Sequence, residues 1–152
     1  MDKYNFLYCQ KIIVYSKDGS SVLLCKRKGE PDFDNTFSFI GGKLEVTDNS
    51  IIEGLRREKN EEVGENFKIK IFPTFTINVF FIKKDGRAMI LPHFYSIYES
   101  GAIKLNEEYS EYKWVLLKEI ATFKPLIPSI PDILGKLTLL KKIIHETESI
   151  LI

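Results

Sequence analysis

The sequence predicts an α/β fold in which one central mixed sheet is covered by helices on both faces. Three observations lead there. The order of elements is strands, helix, strands, helix. The strands do not alternate regularly with helices, which argues against a doubly wound parallel sheet. Two Asp-Gly turns join apolar runs as hairpins. A length of 152 residues suits a single domain spanning 1–152.

The elements follow in order. Lys11–Tyr15 and Val22–Cys25 are apolar runs joined by a turn at Lys17-Asp18-Gly19. A loop from Gly29 to Thr36 precedes a short strand, Phe37–Ile40, which stops at Gly41-Gly42. Ser50 followed by Glu53 is a capping-box pattern, so a helix should start near Ile51. Gly64 is its natural stop. Phe67–Phe72 and Thr74–Lys83 read as strands divided by Pro73. Asp85-Gly86 turns the chain into a return strand, Ala88–Tyr98, whose Pro92 suggests a sheet edge or a bulge. Tyr112–Leu117 is a further short strand. After Pro125, Pro128 and Pro131, Asp132 should cap a last helix with Ile133, Leu134, Leu137, Leu140, Ile143 and Ile144 on its inner face. Ile150–Ile152 should fray or meet a partner.

Composition excludes several classes. Hydrophobic residues make up 44% and charged residues 28%, a globular balance. No apolar run reaches the roughly 18 residues of a membrane span. Met1–Gln10 lacks the pattern of a secretory signal, so a cytoplasmic location is expected. Twenty-two basic against 21 acidic residues leave a net charge of +1, with no broad field for extended nucleic acid. Cys9 and Cys25 are widely spaced in apolar runs and read as buried thiols.

The informative segment is Gly41–Gly64. Along its helix Ile51, Ile52, Leu55 and Val63 form an apolar stripe. Glu58, Glu61 and Glu62, at i, i+3 and i+4, fall on one face beside it. Such carboxylates repel one another in water. They also suit a hard cation, because Mg²⁺ and Mn²⁺ prefer oxygen ligands. Gly41-Gly42 would let a backbone carbonyl approach a metal, and Arg57 could orient the acids. Lys59 falls on the apolar stripe, where its stem should pass the core edge and take its charge to solvent. Trp114 reads as core, His93 as a packed or exposed strand histidine and not a catalyst, and most aromatic residues as core.

This segment resembles the signature of the Nudix hydrolases, MutT-like proteins. The signature is Gly, five residues, Glu, seven residues, Arg-Glu, an apolar residue, any residue, Glu-Glu, any residue, Gly and an apolar residue. Arg57-Glu58-Lys59-Asn60-Glu61-Glu62-Val63-Gly64 matches its Arg-Glu, Glu-Glu and Gly positions. Gly41–Glu45 is similar to the family's entry to the motif, and Tyr109–Val115 to its late strand. The box, Gly42–Glu65, departs from the pattern in places. One extra residue separates Gly42 from Arg57. The signature's first Glu is not in place, and Asp48 is the nearest acid. Lys59 and Glu65 stand where apolar residues are expected.

The resemblance implies a Nudix-type α/β/α sandwich. It also implies metal-dependent hydrolysis of a nucleoside diphosphate linked to another moiety, by water attack on phosphorus. A nucleoside triphosphate cleaved to monophosphate and pyrophosphate, or ADP-ribose, are the main substrates implied. The alternative is a non-catalytic nucleotide-binding module on the same fold. The implied metal ligands for Mg²⁺ or Mn²⁺ are the Gly41 carbonyl, Glu58, Glu61, Glu62 and Glu108, with Glu111 as rival to Glu108. The implied catalytic set is Glu58, Glu61, Glu62, Arg57 and Glu108. Arg27 stands where members carry a phosphate contact, and Phe37 could stack on a base. A small nucleotide is the expected partner, and a homodimer is possible, since dimers are common in the family.

Overall fold

The computed structural model describes residues 3–152. Its strands are β1 (Leu7–Tyr15), β2 (Ser21–Arg27), β3 (Phe37–Ser38), β4 (Ile40–Lys43), β5 (Lys68–Ile82), β6 (Ala88–Ser100), β7 (Tyr109–Leu116) and β8 (Ile150–Leu151). Its helices are α1 (Ile51–Val63) and α2 (Ile130–Leu140). The sheet runs β3-β2-β1-β6-β5-β8, with β4 also pairing β1 and β7 also pairing β2. β1 and β6 are parallel and the other pairs antiparallel, so the sheet is mixed as expected.

Alternation along β1 sends side chains to two separate cores. Ile13 and Tyr15 join Ile130, Ile133, Leu134 and Leu137 of α2 on one face. Ile12 and Val14 join Leu55 and Val63 of α1 on the other. The result is the helix–sheet–helix sandwich that the sequence predicts. Among the described residues no helix is long and apolar enough to cross a membrane. Cys9 and Cys25 are buried and free.

Helix α1 begins where the sequence places it. The Ser50 hydroxyl accepts the Glu53 N–H at 3.1 Å, and Gly64 closes the helix at φ 98°. The Glu53 carboxylate pairs with Arg56 instead of turning back to the cap.

Several expectations change. β5 is one strand through Pro73, because Phe72 pairs Tyr95 and Thr76 pairs Phe94, so Pro73–Phe75 bulge out of the ladder and no donor is needed there. Pro92 lies in β6, which is flanked on both sides, opposite Asn78. It is not an edge; the described ladder to β1 passes from Tyr8↔Ile90 to Lys11↔His93 and skips it. Ser129, not Asp132, is the cap residue of α2; Asp132 sits in the first turn and pairs with Lys136 at 3.0 Å. The helix ends at Leu140, and Ile143 is exposed. The C-terminus is not frayed: β8 pairs β5, and Ile152 is buried against the α1 core. Trp114 is partly exposed and lies edge-on to Tyr98 at 5.8 Å, outside either core.

Candidate active site

The sheet opens where β1 changes partner. Tyr15 pairs Val22 of β2, while Ile12–Cys9 pair Ile40–Lys43 of β4. Gly41 is opposite Lys11, and α1 packs over this junction. A cavity of about 570 Å³ extends from it, bordered by Gly41, Gly42, Arg57, Glu58, Glu61, Glu108 and Arg27. The expected acids and the expected phosphate contact therefore share one cleft.

Two glycines make this approach possible. A Cβ on Gly41, whose φ is +132°, would fall 2.0 Å from the Gln10 carbonyl oxygen. A Cβ on Gly42 would fall 2.2 Å from Glu58 Oε2. The Glu58 carboxylate thus occupies the space that any other residue at 42 would fill.

Glu62 is 2% exposed. Its Oε1 accepts the Gly41 N–H at 2.8 Å and the Tyr109 O–H at 2.8 Å. Burial raises its pKa to about 8, against the opposing charge of Lys11 and these two hydrogen bonds. Burial also pushes Glu58 up, and Arg57 counters it. Tyr109 is held well above its ordinary range by burial and then by Glu62. These are carboxylates short of positive charge, a condition that a divalent cation would relieve.

Arg57 links the cluster. Its Nε and Nη2 each lie 2.8 Å from an oxygen of Asp48. Its Nη1 donates to Glu58 Oε1 at 2.8 Å and stands 3.6 Å from Glu61. The hydrogen bonds from Arg57 lower Asp48 to about 2.

Other expected residues divide. Glu108 borders the cavity and accepts from Asn106 at 3.0 Å. Its rival Glu111 is drawn to Lys26 at 3.8 Å. Arg27 borders the cavity, with Nη2 3.6 Å from Glu30. Phe37 does not reach the cleft: it is core, packed edge-on against Phe123 at 5.0 Å. A strand residue that alternates toward α2 is used there for packing. Lys59 does not reach solvent either. It is fully buried, and its ammonium donates to the Phe67 carbonyl at 2.8 Å beyond the end of α1.

A model of the NUDIX domain matches residues 10–135. The chain belongs to the Nudix family. The nucleoside triphosphatase NudI of Escherichia coli is 28% identical over 115 residues, covering 70% of this chain and 81% of that protein. The MutT protein of Methanosarcina mazei shares the fold, with TM-score 0.74 and 23% identity over 93% of this chain and 99% of that one. So does the Nudix domain of Shewanella oneidensis NrtR complexed with ADP ribose, with TM-score 0.66 and 17% identity over 91% of this chain and 88% of that one. Nudix membership carries pyrophosphate-bond hydrolysis of nucleotide derivatives as the general activity, and Nudix proteins generally use divalent cations.

The Nudix box explains which parts of the site were visible in sequence. Five residues separate Asp48 from Gly42, the signature's spacing to its first acid, and both Asp48 oxygens accept from Arg57. Tyr109 carried no signal as a Glu62 partner. Lys11, a charged residue at the head of an apolar strand, did carry one.

Proposed function

We propose that this Nudix chain hydrolyses a nucleoside triphosphate to the monophosphate and pyrophosphate, using Mg²⁺ or Mn²⁺. The observation that carries the reading is the convergence of Gly41, Glu58, Glu61 and Glu108 on one end of a nucleotide-sized cavity, with Glu62 bonded to Gly41 behind them. That the E. coli relative is a nucleoside triphosphatase supports a triphosphate over ADP-ribose.

The donor set fits a hard cation. It is all oxygen: the Gly41 carbonyl, the carboxylates of Glu58, Glu61 and Glu62, and Glu108. Among the described residues no group of three or more acidic, His or Cys side chains is arranged to enclose a metal alone. A Mg²⁺ ion usually keeps several waters and takes substrate phosphate oxygens beside its protein carboxylates. When bound, such an ion neutralises phosphate charge and lowers the pKa of water.

The chain's own residues do the rest. Arg57, fixed by Asp48, orients Glu58 and Glu61. Arg27 faces the cavity as a cation for the polyphosphate. Gly41 N–H and Tyr109 O–H hold Glu62 in place. Water attacks phosphorus, and the diphosphate bond breaks toward pyrophosphate.

The test is release of pyrophosphate, phosphate or ribose phosphate from a panel of nucleoside triphosphates, ADP-ribose and a diadenosine polyphosphate, with Mg²⁺ or Mn²⁺. Wild type runs beside Glu62→Gln. Metal-dependent turnover lost in the variant supports the reading, and the best substrate sets the subclass. A folded protein that binds nucleotides but turns none over would replace it with a binding module.

A further inference from the structure

The cavity holds two further polar groups, Lys11 and His93; Lys11 also acts on Glu62 through its charge. Lys11 on β1 and His93 on β6 are register partners, so their side chains leave the same face of adjacent strands. Both border the cavity, at 7% and 5% exposure. The walls around them are apolar: Phe39, Val79, Phe81 and Leu91. Phe39 meets the His93 ring edge-on at 5.8 Å.

The backbone fixes the tautomer of His93. Its Nδ1 lies 2.9 Å from the Leu91 carbonyl oxygen and 3.2 Å from that of Ile77. Carbonyls only accept, so Nδ1 carries the proton. Burial, and then the charge of Lys11, lower the ring to about pKa 4, which keeps it neutral near pH 7. Nε2 is therefore a bare acceptor, and no described residue donates to it. Lys11 is its complement. It has donors alone, and no described residue makes a hydrogen bond or ion pair with it.

Both atoms open onto the cavity, where solvent or a ligand meets them, so a ligand that enters must replace those hydrogen bonds with its own. The matching ligand edge has an acceptor beside an N–H. On a nucleobase that is the lactam edge: a ring carbonyl next to a ring N–H, as in guanine, uracil and thymine. The pose considered sets the phosphates against the carboxylates and the base edge against Lys11 and His93. In that pose adenine or cytosine reverses the pattern, setting an amino group against the Lys11 ammonium and a ring lone pair against Nε2. The ammonium decides between the two patterns, because a carbonyl oxygen is the strongest acceptor on a base edge and the bond is charge-assisted.

We propose that Lys11 and His93 form a base-reading pair that selects nucleotides with a lactam edge. The inference rests on the nucleotide-hydrolase reading above and names its substrate class.

The experiment compares bases of equal size: GTP with ATP, and UTP with CTP. Wild type gives kcat/KM with Mg²⁺, and Glu62→Gln gives Kd by calorimetry without needing turnover. Lys11→Met and His93→Phe are then introduced, with folding checked by thermal melts. The lactam member of each pair should be favoured by about tenfold or more, the scale of one charge-assisted hydrogen bond. Either variant should bring the ratio to within about threefold. Equal ratios in wild type, preference for ATP and CTP, or a ratio that survives both variants overturns the proposal. An absence of turnover with the binding ratio intact would instead count against the hydrolase reading alone. Should a variant not fold, the ¹⁵N resonance of His93 Nε2 in wild type decides: it should shift upfield on adding UTP and stay in place with CTP. A resonance that UTP leaves unmoved overturns the pair.

Discussion

Asp48 grips Arg57 with both carboxylate oxygens, each 2.8 Å from a different guanidinium nitrogen. The pair spans the one-residue extension of the Nudix box. Asp48 sits in the loop before α1 and Arg57 in its second turn, so the added residue is absorbed between them while the guanidinium still faces Glu58 and Glu61. Asp48→Asn keeps the shape and removes the charge. Turnover should fall by about 10- to 100-fold, the usual effect of losing a partner that orients metal ligands. The melting temperature should also fall at neutral pH, because a carboxylate held near 2 by the fork stabilises the folded state. Asp48→Glu should recover part of the activity; an Asn variant as active as wild type would show that the fork does not hold Arg57 for catalysis.

The paired glycines should separate folding from function. Gly41→Ala puts a methyl 2.0 Å from a backbone oxygen at a φ that disfavours side chains, so stability should drop by about 1–3 kcal/mol. The nearest atoms to a methyl at Gly42→Ala are those of the Glu58 carboxylate, from 2.2 Å. That carboxylate can swing aside. The protein should stay folded in chemical denaturation, while Mg²⁺-dependent activity drops by about tenfold or more.

Glu62→Gln should lose about 100-fold or more in kcat and remain at least as stable as wild type. The Gln carbonyl can accept from Gly41 and Tyr109 as Glu62 Oε1 does, and a neutral amide costs less to bury than a carboxylate. The pH dependence follows. With the folded pKa raised from 4.5 to about 8, the native state binds more protons than the unfolded chain between those values. Metal-free wild type should therefore lose stability as pH rises through that window, and the variant should not. Equilibrium denaturation at several pH values checks this.

Lys59 has the opposite sign. Burial lowers its folded pKa from 10.5 to about 8, so between those values the unfolded chain binds more protons. This residue contributes stability that rises as pH climbs through the window. Measured against Lys59→Met, wild type should gain ground between about pH 8 and pH 10. A constant difference would mean that the ammonium is not confined at the Phe67 carbonyl.

The fold class, the capped start of α1 and its acidic face were legible in the sequence because each depends on spacing within a few residues. Ser50 and Glu53 share one turn, and Glu58, Glu61 and Glu62 share one face wherever that helix sits. The match to the box placed Arg57, and the similar entry segment placed Gly41, for the same reason. What lay beyond local reach was decided by strand pairing. Tyr109 reaches Glu62 across 47 residues only because β7 pairs β2 at the open junction. Phe37 was spent on the α2 core, and Ile152 was drawn into the α1 core by β8. Lys59 was buried because the carbonyl of Phe67, beyond the helix end, folds back over its ammonium. Lys11 and His93 became neighbours through the parallel pairing of β1 and β6. Periodicity identifies which face a residue belongs to, but hydrogen-bonded register alone determines what faces it, and that register is a property of the assembled sheet.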